Sequence, residues 1–260
     1  MQASAHPTFA TVERVPFVLS GGGARGFAHL GVLEACAEAG IAPSAISATS
    51  AGALLGAFIA GGMAPAEVLA LIHAQVPELF SRWRILRGDR LTQQRMREFL
   101  ESCLPVKRFE DLGMPLFVST TDFTTGRQRF FSSGDLVQPL LAASAVPMIF
   151  HAVEIDGVPY VDGGLSNNLP IEPFNDRRVE VIAVYVNPLS PLDGRLGFWD
   201  TFDRTVHLGF REMVARSAEG CRLLIEPSDL AAFSAFSVHD ADLIRAIGYG
   251  HAKEVLGSLK

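Results

Sequence analysis

The sequence predicts an α/β fold, a three-layer sandwich in which helices cover both faces of a mainly parallel β-sheet. Short apolar runs alternate with helical patterns along the chain, as parallel strands and their crossover helices do. The length of 260 residues is long for one small module and short for two ordinary domains. Since no linker or repeat divides the sequence, we expect one domain over residues 1–260.

The first half of the chain predicts, in order, a strand at 15–19, a helix at 27–39, a strand at 45–48, a helix at 51–61 and a helix at 65–75. Three glycines at 21–23 end the first strand, and Gly40 is a typical C-cap residue for the first helix. Pro65 suits the first turn of the last of these helices.

The second half predicts a hairpin, a buried strand and a final helix. Residues 116–121 and 128–131 flank the turn sequence Thr-Thr-Gly. Residues 180–186 form an apolar run typical of a buried strand, and residues 241–256 carry a helical apolar stripe.

The composition excludes several classes of protein. Hydrophobic residues make up 48% of the chain and charged residues 19%, which is too apolar for a disordered protein. The net charge of −6 argues against a nucleic-acid binder that relies on a basic surface. The three cysteines are widely spaced and match neither a disulfide framework nor a metal cluster. No secretory signal is visible, so we expect a soluble, cytoplasmic protein.

The longest uncharged stretch, residues 39–66, raises the question of a membrane span. Polar residues interrupt it before residue 51, and Pro65 ends the apolar part. The continuous apolar part, residues 51–64, is shorter than the ~20 residues that a spanning helix needs. We therefore predict a buried helix here.

The first motif is the glycine-rich run Gly21–Gly26 between a strand and a helix. It fits the dinucleotide pattern G-x-G-x-x-G, but the next predicted strand ends at Thr49 without the carboxylate that would hold a ribose. No Gly-Lys-Ser/Thr follows it, which excludes a P-loop. Consecutive glycines at a helix start leave N–H groups free to face an anion.

The second motif places Ser50 between a strand and a helix, in the sequence Ala-Thr-Ser-Ala-Gly. Small neighbours permit the strained turn of a nucleophile elbow, G-x-S-x-G, although Ala48 replaces the first glycine. At the helix N-terminus the dipole would favour a developing alkoxide. A plain N-cap serine is the competing interpretation.

The third motif, Asp162-Gly163-Gly164, follows a short β segment and places a carboxylate on a tight loop. An ordinary turn aspartate is the competing interpretation. A glycine nest, an elbow serine and a loop aspartate together are the parts of an acyl-transfer site.

These motifs resemble those of the patatin-like phospholipases. The resemblance rests on Ser20–Gly26, on 48–52, on the run Ala-Ser-Ala-Val-Pro at 143–147 and on 162–164, and it covers the chain from Pro16 onward. Residues 242–249 resemble the bacterial members of the family. The resemblance implies a core at about 16–175 and an extension at about 176–260 that packs on the same domain.

The resemblance also implies a serine lipid acyl hydrolase that uses a Ser–Asp dyad, without metal or cofactor. Ser50 would be the nucleophile and Asp162 the general base, while Gly21, Gly22 and Gly23 would supply oxyanion N–H groups, with a contribution from Ala51. Since the reference pKa of Asp is about 3.9, Asp162 needs burial to become an effective base. A thioesterase or acyltransferase would use the same site, and a catalytically weak lipid-binding or regulatory protein is the rival interpretation.

A conventional Ser-Asp-His triad is the alternative to the dyad, with His207, His239 or His251 as third member. His29 suits a helix-packing role, and His151 lies in a segment that approaches the site without a motif.

Two basic features remain. Arg25 lies beside the glycine nest and suits either a lipid phosphate or a structural contact. Residues 82–98 carry six arginines interleaved with apolar residues, which suits either peripheral contact with anionic lipid headgroups or a solvated helix face.

Overall fold

The structure is a computed structural model that describes residues 12–79, 90–189, 194–195 and 197–258. Its strands are β1 (Glu13–Leu19), β2 (Ile41–Ala48), β3 (Leu116–Asp122), β4 (Gln128–Phe131), β5 (Val153–Ile155), β6 (Val158–Asp162), β7 (Ile182–Val184) and β8 (Leu223–Ile225). Its helices are α1 (Phe27–Glu38), α2 (Ser50–Ala60), α3 (Pro65–Leu79), α4 (Arg90–Cys103), α5 (Val137–Ala143), α6 (Phe198–Ala218) and α7 (Ala241–Gly257). Short 3₁₀ turns connect several of them.

The described strands form one mixed sheet. Strands β3, β2, β1, β7 and β8 pair in parallel in that order, and β4, β5 and β6 join by antiparallel pairing. Helices connect the parallel strands, as crossover connections require. The predicted mainly parallel sheet is confirmed, and so is the hairpin of β3 and β4.

The edge of β3 brings two distant segments together. Val118 pairs with Ala48 of β2 and with Phe131 of β4, so β2 and β4 lie on opposite edges of β3. Thr120 pairs with Asp162 of β6 and also with a residue of β4. Strand β6 therefore shares an edge of β3 with β2, and its end meets the end of β2.

Alternation along β1 divides the interior into two cores. Phe17 and Leu19 belong to a large core that α1, α2, α5 and α7 cover, whereas Val18 faces a second core on the other side of the sheet. The second core includes Phe174, from the 3₁₀ segment 172–180, and Val214 of α6. Helices thus cover both faces, as the sequence predicts.

Element boundaries differ from the predicted ones where tertiary contacts extend or shorten them. The strand predicted at 45–48 begins at Ile41, because β2 pairs with the whole length of β1. The register of this pairing shifts once, between Val15 and Pro16. The strand predicted at 180–186 pairs only over Ile182–Val184, although Val181, Tyr185 and Val186 are also buried. Helix α2 starts one residue earlier than predicted, at Ser50.

The C-terminal helix α7 packs against α1. Arg245 Nε donates a 3.1 Å hydrogen bond to Glu34, and the Tyr249 hydroxyl donates one of 2.8 Å to Glu38. These contacts fix residues 241–257 to the helix that follows the glycine run.

In the described part of the chain, no single helix has both the length and the apolar character of a membrane span. Helix α2 and the first part of α3 meet both criteria only when taken together, and a bend of 119° separates them. The basic segment predicted at 82–98 lies partly outside the described residues, up to residue 89, and continues into α4.

Candidate active site

Ser50 lies on the sharp turn between β2 and α2. Its φ is +50°, which is uncommon for a residue other than glycine, while Thr49 before it is extended. Ala48 has no positive φ and is fully buried, paired with Leu19 and Val118 in the sheet. The methyl group that departs from the G-x-S-x-G pattern is therefore accommodated by ordinary strand geometry.

The N-cap position of α2 belongs to Thr49, and its side chain makes no capping hydrogen bond. Ser50 is the first helical residue, and its side chain lies close enough to the Asp162 carboxyl to lower the pKa of that group. The competing interpretation of Ser50 as a plain N-cap is therefore wrong.

Asp162 ends β6 and begins the 3₁₀ turn 163–165. Its Oδ1 accepts a 2.8 Å hydrogen bond from the Gly164 N–H. A Cβ on Gly163 would lie 2.2 Å from the Ser119 carbonyl oxygen, so only glycine lets this turn pass so close to β3. The double glycine thereby holds the carboxyl group against the end of β2.

Burial raises the pKa of Asp162 to about 6, because an ionised carboxylate is disfavoured away from water. The hydrogen bonds from Ser50 and Gly164 oppose this rise in part. A carboxyl group with such a pKa is a stronger base than an ordinary aspartate and is still mostly ionised at neutral pH.

The glycine loop is held by two buried asparagines that sequence reasoning missed. The Gly21 N–H donates a 3.1 Å hydrogen bond to Asn168 Oδ1, and Asn187 Nδ2 donates one of 2.6 Å to the Gly21 carbonyl. Each asparagine follows a segment that the sequence did single out, Asp162–Gly164 and the apolar run 180–186. No local pattern indicated what their amides would contact.

The predicted oxyanion donors therefore differ in availability. The Gly21 N–H is engaged with Asn168, whereas the N–H groups of Gly22 and Gly23 meet no protein acceptor in the part of the chain that the structure describes. The Ala51 N–H, in the first turn of α2, has no partner within its own helix. Gly22, Gly23 and Ala51 all line the cavity that contains Ser50.

Arg25 is buried and braces the loop from behind. Its Nε donates a 2.7 Å hydrogen bond to the Phe233 carbonyl, and its Nη1 donates one of 3.0 Å to Asn187 Oδ1. His207 Nε2 lies 3.4 Å from the same nitrogen. Of the two predicted roles for Arg25, these contacts describe the structural one.

The three predicted triad candidates lie in different places: His207 lines the cavity that contains Ser50, His239 precedes α7, and His251 lies in α7. His207 touches Arg25, and His239 is exposed at the start of α7. Nε2 of His29 lies 2.9 Å from the Ser20 carbonyl, and burial lowers the pKa of His29 to about 4. Near the Asp162 carboxyl lie the Ser50 side chain, which lowers its pKa, and the Gly164 N–H, which donates a 2.8 Å hydrogen bond to Oδ1.

Ser50 and Asp162 lie in a cavity of about 470 Å³. Helices α2, α4, α5 and α6, the loop 146–150 and the segment 235–238 line it largely with apolar side chains. Among them are Leu54, Phe58, Met96, Phe99, Leu141, Ile149, Phe150, Phe210 and Phe236. A cavity of this size and lining suits an apolar ligand with few polar groups.

Comparison with known proteins identifies one family and several relatives. Residues 17–175 match the family described as patatin-like phospholipase. Lysophospholipase nte1 of Aspergillus fumigatus is 25% identical over 280 residues, which cover 95% of this chain and 18% of that protein. Lysophospholipase NTE1 of Saccharomyces cerevisiae is 29% identical over 209 residues, covering 74% of this chain and 12% of that protein.

The chain thus spans less than a fifth of the length of these curated relatives. Among solved structures, VipD from Legionella pneumophila shares the fold with a TM-score of 0.62 at 16% identity, over 96% of this chain and 67% of that one. With the family match covering most of the chain, this protein belongs to the patatin-like phospholipase family.

Proposed function

We propose that the protein hydrolyses ester-linked acyl chains of lipids, with Ser50 as nucleophile and Asp162 as general base. The proximity of the two side chains, both of which line one apolar cavity, carries this proposal. Family membership and the lysophospholipase names of the relatives support a lipid ester as substrate.

In the proposed reaction, Asp162 accepts the Ser50 proton while the hydroxyl oxygen attacks the ester carbonyl carbon. The N–H groups of Gly22, Gly23 and Ala51 stabilise the oxyanion. Collapse of the intermediate breaks the bond to the alcohol, which leaves with the proton from Asp162. A water molecule then attacks the acyl carbonyl while Asp162 takes its proton; the bond to the Ser50 oxygen breaks, Asp162 returns the proton to Ser50, and the fatty acid is released.

Labelling with a fluorophosphonate tests the nucleophile directly. We expect wild-type protein to be labelled and the Ser50→Ala variant to remain unlabelled. Ser144→Ala is the matched control, since Ser144 also lines the cavity but its hydroxyl donates to the Leu140 carbonyl. Absence of labelling in the wild type would favour the rival function, a catalytically weak lipid-binding or regulatory protein.

The substrate class is tested with short-chain esters, acyl thioesters, lysophospholipids and diacyl phospholipids, with Ser50→Ala as the blank. We expect turnover of oxygen esters with a single acyl chain. Faster turnover of thioesters, or acyl transfer to an added alcohol, would redirect the proposal to a thioesterase or an acyltransferase at the same serine.

We further propose that residues 82–98 contact an anionic membrane surface. We also propose that the protein is cytoplasmic and of bacterial origin. Gln93 donates a 2.9 Å hydrogen bond to the His151 carbonyl, close to the exposed Met148 on the cavity rim, which supports a position of residues 90–98 near the cavity mouth. Binding to anionic vesicles should weaken with salt and in an Arg95→Glu/Arg97→Glu variant. Binding that neither change affects would refute the contact.

A further inference from the structure

The cavity follows one face of α2. Ser50, Leu54 and Phe58 are spaced four residues apart, so they lie in a row on the same side of the helix, and all three line the cavity. At 1.5 Å of rise per residue, this row extends about 12 Å from the nucleophile to Phe58. An acyl chain whose carbonyl carbon is at Ser50 can therefore lie along this row.

The two ends of the cavity differ in exposure. Phe58, at the far end of the row, is 2% exposed, and the lining residues Ile72 and Met96 are 6% and 7% exposed, so all three are shielded from solvent. Met148 and Leu165 also line the cavity but are 75% and 41% exposed, so they form its mouth. A lipid would enter past Met148 and direct its methyl end toward Phe58.

Two aromatic rings meet at the closed end. The ring centroids of Phe58 on α2 and Phe99 on α4 are 6.0 Å apart, with 58° between the ring planes. Such a tilted pair packs favourably and resists displacement. Both rings line the cavity, so a chain that reaches them must stop or push them apart.

We propose that Phe58 and Phe99 form the floor that sets the longest acyl chain accepted at Ser50. The inference rests on the proposed function and deepens it: the substrate is an ester whose single acyl chain fills the row along α2. Chains longer than this row lose affinity because the rings must move, and shorter chains leave apolar surface uncovered.

The test measures kcat/KM for straight-chain esters of increasing acyl length. Phe99→Ala and the milder Phe58→Leu should shift the optimum to longer acyl chains. For an ester two methylene groups longer than the wild-type optimum, kcat/KM should rise about tenfold relative to kcat/KM for the ester at that optimum. Phe99→Trp should shift it to shorter chains. Phe117→Leu is the control, since Phe117 pairs with Phe174 in the other core.

A binding assay separates failure of this inference from failure of the proposed function. Saturated fatty acids of increasing length are added to Ser50→Ala protein, with and without Phe99→Ala, and the thermal shift is recorded. The longest stabilising acid should lengthen with Phe99→Ala even if the wild type hydrolyses no ester. If the dependence on chain length is unchanged in both assays, Phe58 and Phe99 do not limit the acyl chain. Absence of ester turnover alone would count only against the proposed hydrolase activity.

Discussion

The Gly21 N–H donates a hydrogen bond of 3.1 Å to Oδ1 of Asn168, on the segment that follows Asp162. This bond ties the glycine loop to the loop that carries the proposed base, and it occupies a donor that a simple count of glycines would assign to the oxyanion. Gly22 and Gly23 also line the cavity, and in the described part of the chain their N–H groups meet no protein acceptor.

Gly23→Ala should reduce kcat/KM by at least about 100-fold, the typical cost of losing an oxyanion donor. Gly23 has a φ of +56°, and an added Cβ would lie 2.5 Å from the Ala235 carbonyl oxygen, so the loop must move. Gly126→Ala is the matched control, with a φ of +71° and open space around the added carbon. It should cost about 1 kcal/mol of stability and leave activity intact. Equal activity losses in both variants would contradict the proposed donor role.

The pH profile of kcat/KM should show an acid limb with a midpoint at about pH 6, because burial raises the pKa of Asp162 to about that value. Only the ionised carboxylate accepts the Ser50 proton, so activity falls about tenfold for each pH unit below the midpoint and levels off above it. Asp162→Asn should abolish turnover while the protein stays folded, as circular dichroism would show.

A histidine base would give a different result. The pKa of His29 is lowered to about 4, so His29→Gln should leave the midpoint of the acid limb where it is. Substantial activity in Asp162→Asn, or a limb that disappears with His207→Gln, would replace the dyad by a triad.

Arg25→Lys should lower kcat/KM by a similar factor for a lysophospholipid and for an uncharged short-chain ester. Lysine keeps the charge but lacks the planar fork that reaches both Phe233 and Asn187. The loss therefore comes from a displaced glycine loop and not from a lost phosphate contact. A loss confined to the phosphate-bearing substrate would instead assign Arg25 to headgroup binding.

Ala48→Gly should restore the G-x-S-x-G pattern without raising activity. Ala48 already has strand geometry and fills space in the core between β1 and β3, so its removal costs about 1 kcal/mol in unfolding free energy. Denaturant unfolding and kcat/KM on one ester measure the two effects. A tenfold gain in kcat/KM would mean that the methyl group distorts the elbow.

Much of the fold was predictable from sequence because it depends on neighbouring residues. The hairpin of β3 and β4 follows from its turn residues, and α1 from its composition and Gly40. Ser50 was identifiable because small residues surround it at a strand end. The extra length of β2 was not predictable, since pairing with β1 supplies hydrogen bonds that local propensity does not count.

The sequence by itself determined the elements from β1 to α3, the hairpin of β3 and β4, the buried strand β7, the helix α7 and the identity of the candidate residues Ser50 and Asp162. The predicted elements did not include α4, α5, α6 or β8. Only the tertiary structure decided that these two side chains meet, because β2 and β6 share one edge of β3. It also decided that Asn168 occupies the Gly21 N–H and that Arg25 braces the loop. The physical reason is common to all three: turns and helix starts depend on adjacent residues, whereas strand pairing, burial and the resulting pKa of Asp162 depend on groups that folding alone brings into contact.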